Sequence, residues 1–548
     1  MLPLTKTVDP LLIDLEGHAE CLLGNEAIVR GALEAGVAFA SGYPGTPSTE
    51  VTDTFARIAA DRGIVFEYSV NEKVALELAF AASLAGARSI VAMKHLGLMS
   101  AGDPLSTIPY IGVEAGMVIV SAGDPSCRTS PNEQDQRHLG PMLHIPVLDP
   151  ATPAEAHAAT RFAFELSEGS RLPVLLRVTT RVCHSRAVVA YGPLAEPRVA
   201  GFRRDPDRYV PVPHNARRMR VDLAKRIETA RELATTDALV RLGSRRDTVI
   251  LAAGAPAATC ADLVRELGIG DRVGLWTLGV VHPLPERELV AALAGVERLL
   301  VVEELSPFLE DAIAALCARH GLSPRILGKR SGHLPEAFEY EPDIIQRGIH
   351  AALGICPAPP GRPEAVEVAP RPPSLCPGCP HRAAYLAARA AFGDEHLYFN
   401  DIGCYTLGYG PPLQTADALL CMGAGFTLAA GVARVTGQRT VGFMGDGTFF
   451  HSGMPALLDA AKESVGMVAV ILDNEVTAMT GFQDNETNRV ASIERIVRAL
   501  GVEQVETLDP YDLPAAIATF ERARDAAGLS VVIVQRACPV YQVRRSAS

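Results

Sequence analysis

The sequence predicts an α/β protein that contains three parallel-sheet domains. In residues 1–195, and again in 246–356 and 374–548, short apolar runs of strand length alternate with longer runs of helical character. This alternation is typical of parallel sheets that carry helices on both faces. The length of 548 residues agrees with this number of domains, since a domain usually has about 100–200 residues.

The first domain, residues 1–195, contains five predicted strands with helical stretches between them. The strands are expected at 37–41, 64–68, 89–93, 117–121 and 174–178. A polar, arginine-rich connection follows at 196–245, and its second half, 215–234, is expected to be a solvated helix. We interpret the arginine run there as protein surface and not as a binding patch.

The second domain, residues 246–356, has predicted strands at 248–252 and 298–302. A proline-rich stretch at 357–373 follows, and such a composition favours an extended backbone and marks a domain boundary. The third domain, 374–548, contains predicted strands at 440–444 and 467–472. A helix is expected between them, at 454–462, which gives a β-α-β unit.

Composition and charge exclude several classes of partner. Hydrophobic residues make up 48% and charged residues 21% of the chain, as in ordinary globular proteins. The net charge of −12 argues against nucleic acid or an anionic membrane as the main partner. There is no long apolar stretch of transmembrane length and no basic-then-apolar signal pattern at the N-terminus. We therefore expect a cytoplasmic protein that does not bind membranes.

The most informative motif is Gly445-Asp446-Gly447, followed by Asn474. Both sites come directly after a predicted strand, so we expect them at the carboxyl edge of the sheet, where open α/β sheets bind ligands. The Asp446 carboxylate, the Asn474 side-chain carbonyl and the Val476 backbone carbonyl are hard oxygen ligands that suit Mg²⁺. The glycines at 445 and 447 allow the backbone to approach phosphate groups closely.

This arrangement is the pattern that holds magnesium and thiamine diphosphate in thiamine enzymes. The alternative is a glycine-rich turn without a ligand, because Gly-Asp-Gly is common by itself. The flanking β-α-β unit argues against that alternative, since it places both motif segments at strand ends.

A thiamine site also needs a surface for the aminopyrimidine, where a carboxylic side chain hydrogen-bonds a ring nitrogen. Glu72 is the candidate because it follows the strand at 64–68 and begins an alanine-rich helical run. The alternative is that Glu72 only stabilises the helix N-terminus electrostatically. Thr46 and His95 follow other strands of the same sheet and are candidates to line the substrate pocket, although a lone histidine is often a structural hydrogen-bonding group. Arg128 is a weak candidate to bind a substrate carboxylate.

Four of the 11 cysteines need a specific explanation. Cys376 and Cys379 form a C-x-x-C pair, Cys404 follows a strand-like run, and Cys538 lies near the C-terminus. Such a set can enclose a four-iron cluster or a zinc ion, and the spacing alone also allows unliganded thiols. Six others are most simply buried small residues: Cys21, Cys127, Cys183, Cys260, Cys317 and Cys356.

Taken together, these motifs resemble those of the large (alpha) subunit of indolepyruvate:ferredoxin oxidoreductase, a branch of the 2-oxoacid:ferredoxin oxidoreductases. The matching stretches span nearly the whole chain in family order: Tyr43-Pro44-Gly45-Thr46-Pro47-Ser48, Asn71-Glu72-Lys73-Val74-Ala75-Leu76-Glu77, Lys94-His95-Leu96-Gly97-Leu98, Asn132-Glu133-Gln134-Asp135, Cys376-Pro377-Gly378-Cys379-Pro380-His381-Arg382, Asp401-Ile402-Gly403-Cys404-Tyr405-Thr406-Leu407-Gly408 and Asp473-Asn474-Glu475-Val476-Thr477-Ala478-Met479-Thr480-Gly481.

The resemblance implies the thiamine-diphosphate-binding fold type, with a pyrimidine-binding domain, a transketolase C-terminal-like domain and a diphosphate-binding domain in that order. It implies that Glu72 contacts the aminopyrimidine and that Asp446 and Asn474 bind the metal. It also places Gly423, Gly425 and Thr477, together with Cys404, beside the cofactor. For Cys376, Cys379, Cys404 and Cys538 it implies a 4Fe-4S cluster.

The implied activity is oxidative decarboxylation of an aromatic 2-oxoacid (indolepyruvate, phenylpyruvate or arylglyoxylate type) to the acyl-CoA. Coenzyme A as co-substrate, a small beta subunit and a hetero-oligomer with two large subunits are implied by the family alone. The sequence lacks the family's C-x-x-C-x-x-C-x-x-x-C run, so we expect a separate electron-transfer subunit or ferredoxin. Two alternatives remain open: a non-oxidative thiamine-dependent 2-oxoacid decarboxylase and a catalytically silent assembly subunit.

Overall fold

The computed structural model describes residues 9–235, 238–355, 368–369, 371–488 and 492–547. The chain forms two compact units, Met1–Arg362 and Pro363–Ser548. Each unit contains mostly parallel sheets with helices on both faces, which confirms the predicted α/β class. Most of the predicted proline-rich stretch at 357–373, and Cys356 before it, lie outside the described residues. Among the residues described, no helix has both the length and the apolar character that crossing a bilayer requires.

The described residues of the first unit form 14 strands in three sheets. The strands are β1 Ala19–Leu23, β2 Phe39–Gly42, β3 Val65–Tyr68, β4 Ser89–Lys94, β5 Met117–Gly123, β6 Val147–Leu148, β7 Val174–Thr179, β8 Arg186–Ala190, β9 Val240–Leu242, β10 Thr248–Ala253, β11 Val273–Leu278, β12 Val280–His282, β13 Arg298–Val302 and β14 Arg325–Leu327. The large sheet has the order β12-β6-β7-β5-β4-β2-β3, the second sheet has the order β14-β13-β10-β11-β9, and β1 pairs with β8. The strands of the two larger sheets are parallel except β12 and β9, which pair antiparallel with β6 and β11.

The helices of the first unit connect these strands. They are α1 Gly24–Glu34, α2 Thr49–Ile58, α3 Glu72–Leu84, α4 His95–Ser100, α5 Gly102–Ile111, α6 Leu139–Leu143, α7 Pro153–Ser170, α8 Thr180–His184, α9 Pro206–Tyr209, α10 Pro213–Leu233, α11 Ala255–Glu266, α12 Glu286–Leu293, α13 Phe308–Arg319 and α14 Pro342–Leu353.

The strand order of the large sheet creates a switch point between β2 and β4. From β2 the chain passes through α2 to β3 on one side, and from β3 it passes through α3 to β4 on the other side of β2. The connections therefore leave the β2–β4 pair in opposite directions, which opens a crevice at the carboxyl ends of these two strands. Such a crevice is where open α/β sheets bind ligands.

The two larger sheets of the first unit share a hydrophobic core. Val91 and Ile119 of the large sheet belong to the same buried cluster as Val249, Trp276 and Leu299 of the five-stranded sheet. Strand β12 also comes from the predicted second domain and completes the large sheet. The domain boundaries at 195 and 246 remain a prediction.

The helix predicted at 215–234 exists as α10, but it is only partly solvated. One face of it is buried, since Met219, Leu223, Ile227 and Ala230 recur at helical spacing and pack into the first unit. The expectation of a solvated helix was wrong for this face. The segment is rich in exposed arginines, so its composition did not indicate that four apolar residues form one buried stripe.

The second unit contains one five-stranded parallel sheet with the order β15-β16-β17-β19-β18. Its strands are β15 Leu397–Phe399, β16 Thr440–Gly445, β17 Met467–Asp473, β18 Gln504–Leu508 and β19 Ser530–Gln535. Its helices are α15 Pro380–Phe392, α16 Ala424–Thr436, α17 Asp446–Thr448, α18 Met454–Lys462, α19 Ile493–Ala499, α20 Leu513–Asp525 and α21 Pro539–Ala547. Two apolar clusters cover the two faces of this sheet. The predicted strands agree with the observed ones within two residues at each end.

Candidate active site

The Asp446 carboxylate lies at the carboxyl end of β16, where the strand turns into α17. It is buried, and its Oδ1 accepts a hydrogen bond from the Gly447 amide at 2.8 Å. Its Oδ2 accepts a hydrogen bond from Asn485 Nδ2, also at 2.8 Å. The short loop and the amide of Asn485 therefore hold this carboxylate in one orientation. Asn485 is a site residue that the sequence analysis missed.

Asp446 shares its environment with a second carboxylate, Asp473, the last residue of β17. Burial and the neighbouring Asp473 raise the pKa of Asp446 to about 8, and burial also raises the pKa of Asp473. Asp473 accepts hydrogen bonds from the Glu475 amide and from Gln535 Nε2. Two buried carboxylates this close cannot both ionise without a cation, so the pair is suited to a divalent metal. Asp473 stands directly before Asn474 and was not predicted as a site residue.

Asn474 and Val476 follow β17 and lie at the same edge of the sheet. The Asn474 side chain is almost completely buried, and its Oδ1 accepts a hydrogen bond from the Val476 amide at 3.3 Å. Between them, Glu475 adopts a left-handed backbone with φ of 65°, which turns the chain sharply. The Thr477 amide then donates to the Gln483 carbonyl and closes the loop. The structure thus brings the three predicted metal ligands to the ends of two adjacent strands.

Gly445 allows an aromatic ring to pack against the metal loop. A Cβ atom at this position would lie 2.3 Å from Cε1 of Tyr405. The Tyr405 hydroxyl lies 2.6 Å from Thr448 Oγ1 and donates to the Ile402 carbonyl at 2.7 Å. The loop that carries Asp446 is therefore fixed from the side by Tyr405. A π-helical turn, which is frequent at functional sites, follows this loop at Phe449–Gly453.

The predicted diphosphate contacts of Gly423 and Gly425 meet an obstacle in the structure. Both amides donate hydrogen bonds to the buried Asp401 carboxylate, at 2.8 and 2.7 Å. A Cβ atom at Gly425 would meet the Phe443 carbonyl oxygen at 2.4 Å, so this glycine is required for packing. The structure therefore assigns both glycines to capping and packing of α16 by Asp401. Direct binding of a diphosphate by these two amides would require Asp401 to move.

The four predicted cluster cysteines lie close together in the second unit. Cys379 caps the N-terminus of α15, and the amides of His381 and Arg382 contact its sulfur. Burial and the nearby thiols raise the pKa of Cys379, and they raise that of Cys404 to about 12. Cys376 and Cys538 contribute to both shifts, and Cys379 contributes to that of Cys404.

The four thiols do not form a ready site for a single metal ion. Within the described part of the chain, no group of three His, Cys, Asp or Glu side chains is close enough to hold one metal ion. Tetrahedral zinc with bonds of about 2.3 Å needs its sulfurs within roughly 4 Å of one another. Zinc, a 4Fe-4S cluster and unliganded thiols at these cysteines therefore all remain predictions.

The other cysteines have a mixed outcome. Cys183, Cys260 and Cys317 are buried, as expected, and Cys127 is half-buried. The expectation was wrong for Cys21, which is exposed. Cys21 lies on β1 of the small two-stranded sheet, where it alternates with the buried Leu22 and points to the open side.

In the first unit, Glu72 is the first residue of α3 and is nearly buried. Asn71 caps this helix by accepting a hydrogen bond from the Val74 amide at 2.9 Å. The Glu72 side chain packs directly against Gly97 of α4, because a Cβ atom there would lie 2.3 Å from Glu72 Oε1. The helix α4 therefore supports the carboxylate from behind, and only glycine at position 97 leaves room for it. Gly97 was not predicted as a site residue.

Thr46 and His95 follow β2 and β4, the two strands of the switch point. Thr46 is half-buried in the loop after β2. His95 is fully buried, and its two ring nitrogens lie 3.4 Å from the Ala122 carbonyl and 3.2 Å from the Asn132 carbonyl. Burial also lowers the pKa of His95. The structure therefore supports the alternative for His95, a neutral group that ties β4 to the loop after β5.

Two family models match segments of this chain. Residues 30–230 match the family model described as pyruvate flavodoxin/ferredoxin oxidoreductase, thiamine diP-bdg, and residues 401–534 match thiamine pyrophosphate enzyme, C-terminal TPP binding domain. Among solved structures, the chain is similar to a 2-oxoglutarate:ferredoxin oxidoreductase from Magnetococcus marinus. That match has a TM-score of 0.51 and 16% identity over 61% of this chain and 65% of the other, and it supports the fold.

Relatives of known name match over almost the whole length. The chain is 44% identical to indolepyruvate oxidoreductase subunit IorA of Methanothermobacter marburgensis, over 97% of this chain and 88% of the relative. It is 39% identical to the protein of the same name from Pyrococcus abyssi, over 98% of this chain and 89% of the relative. The chain therefore belongs to the indolepyruvate oxidoreductase subunit IorA family, the large subunits of a branch of the 2-oxoacid:ferredoxin oxidoreductases.

Proposed function

We propose that this chain is the catalytic large subunit of an enzyme that converts an aromatic 2-oxoacid and coenzyme A to an acyl-CoA and carbon dioxide. Two electrons leave the substrate in this reaction and pass through an iron-sulfur cluster to ferredoxin or another acceptor. The observation that carries the proposal is the buried pair of Asp446 and Asp473 beside Asn474. It is an oxygen-rich site with excess negative charge, at the sheet edge where the family binds its cofactor.

The residues present fit Mg²⁺ and thiamine diphosphate. Asp446, Asn474 and the Val476 carbonyl would hold the metal, which would also relieve the repulsion between the two aspartates. The Gly445–Gly447 loop and Thr477 would lie against the diphosphate. When bound, thiamine diphosphate supplies a ring that stabilises negative charge on the substrate carbon as carbon dioxide leaves.

Glu72 has the role of a positioned acid in this proposal. Its carboxyl group would hold a proton at a ring nitrogen of the aminopyrimidine. The packing against Gly97 supports this role because it fixes the side chain in one place. Burial behind α4 also keeps bulk water away from the carboxyl group. Thr46, half-buried at the neighbouring strand end, is a candidate for contact with the substrate.

For Cys376, Cys379, Cys404 and Cys538 we propose a 4Fe-4S cluster. Burial raises the pKa of two of these thiols, so in the absence of metal they stay protonated. Iron binding would displace those protons, as it does for thiolate ligands in general. The amides that contact the Cys379 sulfur would stabilise the ligated form, since hydrogen bonds to sulfur tune such clusters.

The aromatic substrate, coenzyme A and the partners are supported by the relatives. The proteins at 44% and 39% identity are named for indolepyruvate, and the name subunit implies a partner chain. The 2-oxoglutarate:ferredoxin oxidoreductase structure is described with coenzyme A bound. We therefore propose a small beta subunit, a separate electron-transfer subunit or ferredoxin, an assembly with two large subunits, and a location in the cytoplasm.

The test is the iron and acid-labile sulfide content of the anaerobically purified complex, together with its visible spectrum. We expect about four irons per large subunit and bleaching on addition of an arylpyruvate with coenzyme A. The variant Cys404→Ser should lose iron, while the matched control Cys21→Ser, an exposed cysteine of the other unit, should keep it.

Protein that binds thiamine diphosphate but contains no iron would contradict the oxidative reaction. It would favour the non-oxidative 2-oxoacid decarboxylase, which releases an aldehyde and needs no acceptor. Failure to bind thiamine diphosphate at all would favour the catalytically silent assembly subunit.

A further inference from the structure

Lys94 is a half-buried lysine at the switch point of the large sheet. It is the last residue of β4 and directly precedes α4, the helix whose Gly97 supports Glu72. The neighbouring strand β2 ends at Gly42 and continues into the loop that contains Gly45 and Thr46. Lys94 therefore lies in the crevice where the strand order predicts that a ligand binds.

The stem of the Lys94 side chain packs against the loop after β2, and its amine reaches the loop after β5. Its Cβ and Cδ lie 3.0 and 3.8 Å from the point where a Cβ atom at Gly45 would be, so the absence of a side chain there makes room for the lysine stem. Its Nζ donates to the Thr129 carbonyl at 2.8 Å and lies 3.5 Å from Thr129 Oγ1. Both of these acceptors are neutral.

Among the described residues, no carboxylate forms an ion pair with Lys94. Asp124, the nearest acidic influence, is fully occupied: it accepts hydrogen bonds from the Thr129 amide and from the hydroxyls of Thr129, Ser130 and Thr180. Burial lowers the pKa of Lys94 to about 8, and Asp124 offsets this only in part. The charge of the amine is thus not neutralised by a carboxylate of the described residues, which leaves it available to an anionic ligand at this edge of the sheet.

The arginines near this edge are already paired. Arg128, the weak candidate from the sequence, lies 2.9 Å from Glu339. Three further arginines are also in ion pairs, and they are Arg137 with Glu303, Arg177 with Asp149 and Arg181 with Glu339. The structure therefore points to Lys94 and not to an arginine as the cation that is free to meet a ligand here.

We propose that Lys94 binds the carboxylate of the 2-oxoacid substrate. This inference rests on the proposed function, which requires a cation for that carboxylate. The proposed diphosphate ligands all lie in the second unit, so the diphosphate has its own site. Thr46, beside Gly45 in the facing loop, would be placed to contact the same end of the substrate. The carbonyl of Thr129 fixes the ammonium group without neutralising it.

The experiment compares Lys94→Met and Lys94→Arg with wild type in the complete complex. Equilibrium binding of phenylpyruvate and of its uncharged amide is measured by calorimetry on complex prepared without thiamine diphosphate. Steady-state KM values for phenylpyruvate and for coenzyme A are measured on the loaded enzyme. Lys225→Gln, an exposed lysine of α10 paired with Asp222, is the matched charge control. Melting temperatures verify that each variant folds.

We expect Lys94→Met to weaken phenylpyruvate binding and raise its KM by roughly 10- to 100-fold, since a charge-assisted hydrogen bond is of that order. Binding of the amide and the KM for coenzyme A should not change, and Lys94→Arg should restore part of the loss. Equal binding of phenylpyruvate to wild type and to a folded Lys94→Met would overturn the inference. So would an effect confined to coenzyme A, which would assign the lysine to its phosphates. A wild-type complex that turns over no 2-oxoacid would overturn the proposed function itself.

Discussion

The contact between Glu72 and Gly97 allows a test of whether the position of the Glu72 carboxyl group, and not only its presence, matters for activity. The substitution Gly97→Ala adds one methyl group and changes the identity of none of the predicted catalytic residues. Position 97 is inside α4 and does not use a positive φ angle, so alanine suits the backbone there. The substitution acts on the site through the space that Glu72 occupies.

The size of the effect follows from the distances. A Cβ atom at position 97 would lie 2.4 Å from Cγ and 2.5 Å from Cδ of Glu72. Non-bonded carbon atoms are normally about 3.5–4.0 Å apart, so the Glu72 side chain must retreat by roughly 1 Å. A misplacement of about 1 Å in a catalytic group can cost about 100-fold in rate. We therefore expect kcat to fall about 100-fold, close to the effect of Glu72→Gln.

The assay measures kcat of the complex, the affinity for thiamine diphosphate by calorimetry, and the rate of deuterium exchange at C2 of the bound cofactor. The matched control is Gly102→Ala at the start of α5, where an added Cβ atom meets nothing within 4 Å. This control should retain wild-type values in all three measurements. Both variants should keep a melting temperature near that of wild type, because the far end of a flexible side chain absorbs the clash.

The reasoning would be refuted by a folded Gly97→Ala variant with wild-type kcat and wild-type C2 exchange. That result would show that the position of Glu72 against α4 does not matter for activation. The weaker alternative from the sequence, a purely electrostatic role of Glu72 at the helix N-terminus, would then be preferred.

Three further predictions concern the metal, the substrate cation and the core. Asp446→Asn removes a metal ligand, and the Mg²⁺-dependent affinity for thiamine diphosphate should fall by about 100-fold or more in calorimetry; unchanged affinity would contradict the assigned ligand. The kcat/KM for the 2-oxoacid should fall as pH rises above about 8, because Lys94 must be protonated to bind the carboxylate and burial lowers its pKa to about 8. The titratable neighbours of Lys94 are Asp124, whose charge acts in the opposite direction, and His95, whose own pKa is lowered by burial so that it is neutral. In Lys94→Arg this fall of kcat/KM should be absent. Arg137→Ala leaves Asp135 and Glu303 buried without their cation and should lower the free energy of unfolding by about 3–5 kcal/mol. The control Arg128→Ala removes an exposed side chain and should lower the free energy of unfolding by less than about 1 kcal/mol. Equal losses of unfolding free energy for the two variants in chemical denaturation would contradict this expectation.

Much of the fold could be predicted from local patterns. The strands that were predicted lie within two residues of observed ones, because a buried parallel strand is a continuous apolar run that contrasts with its helical neighbours. The short and edge strands, such as β6, β9, β14 and β15, were not predicted. Local patterns did not predict the buried face of α10, because the segment is rich in arginine and its apolar residues are few. They also did not reveal that β12 leaves its own domain to join the large sheet, because strand pairing over such a sequence distance has no local signal.

The predicted site residues divide in the same way. The position of Asp446 and Asn474 at adjacent strand ends could be predicted, because a strand end and a short loop determine where they lie. The role of His95 could not be predicted, since its ring nitrogens contact the carbonyls of Ala122 and Asn132, which are distant in the sequence. The hydrogen bond from the Gly423 amide to the Asp401 carboxylate could not be predicted either, because it joins different segments of the chain.

By itself, the sequence determined the α/β class, and it predicted the order of the domains and the side chains proposed to carry the chemistry. These properties depend on residue type and on spacing along the chain, which the sequence contains directly. Only the tertiary structure decided which groups face one another: Asp473 beside Asp446, Gly97 behind Glu72, and Lys94 in the crevice without a carboxylate partner. The physical reason is that burial, charge pairing and steric exclusion act between residues that packing brings together, whatever their separation in sequence.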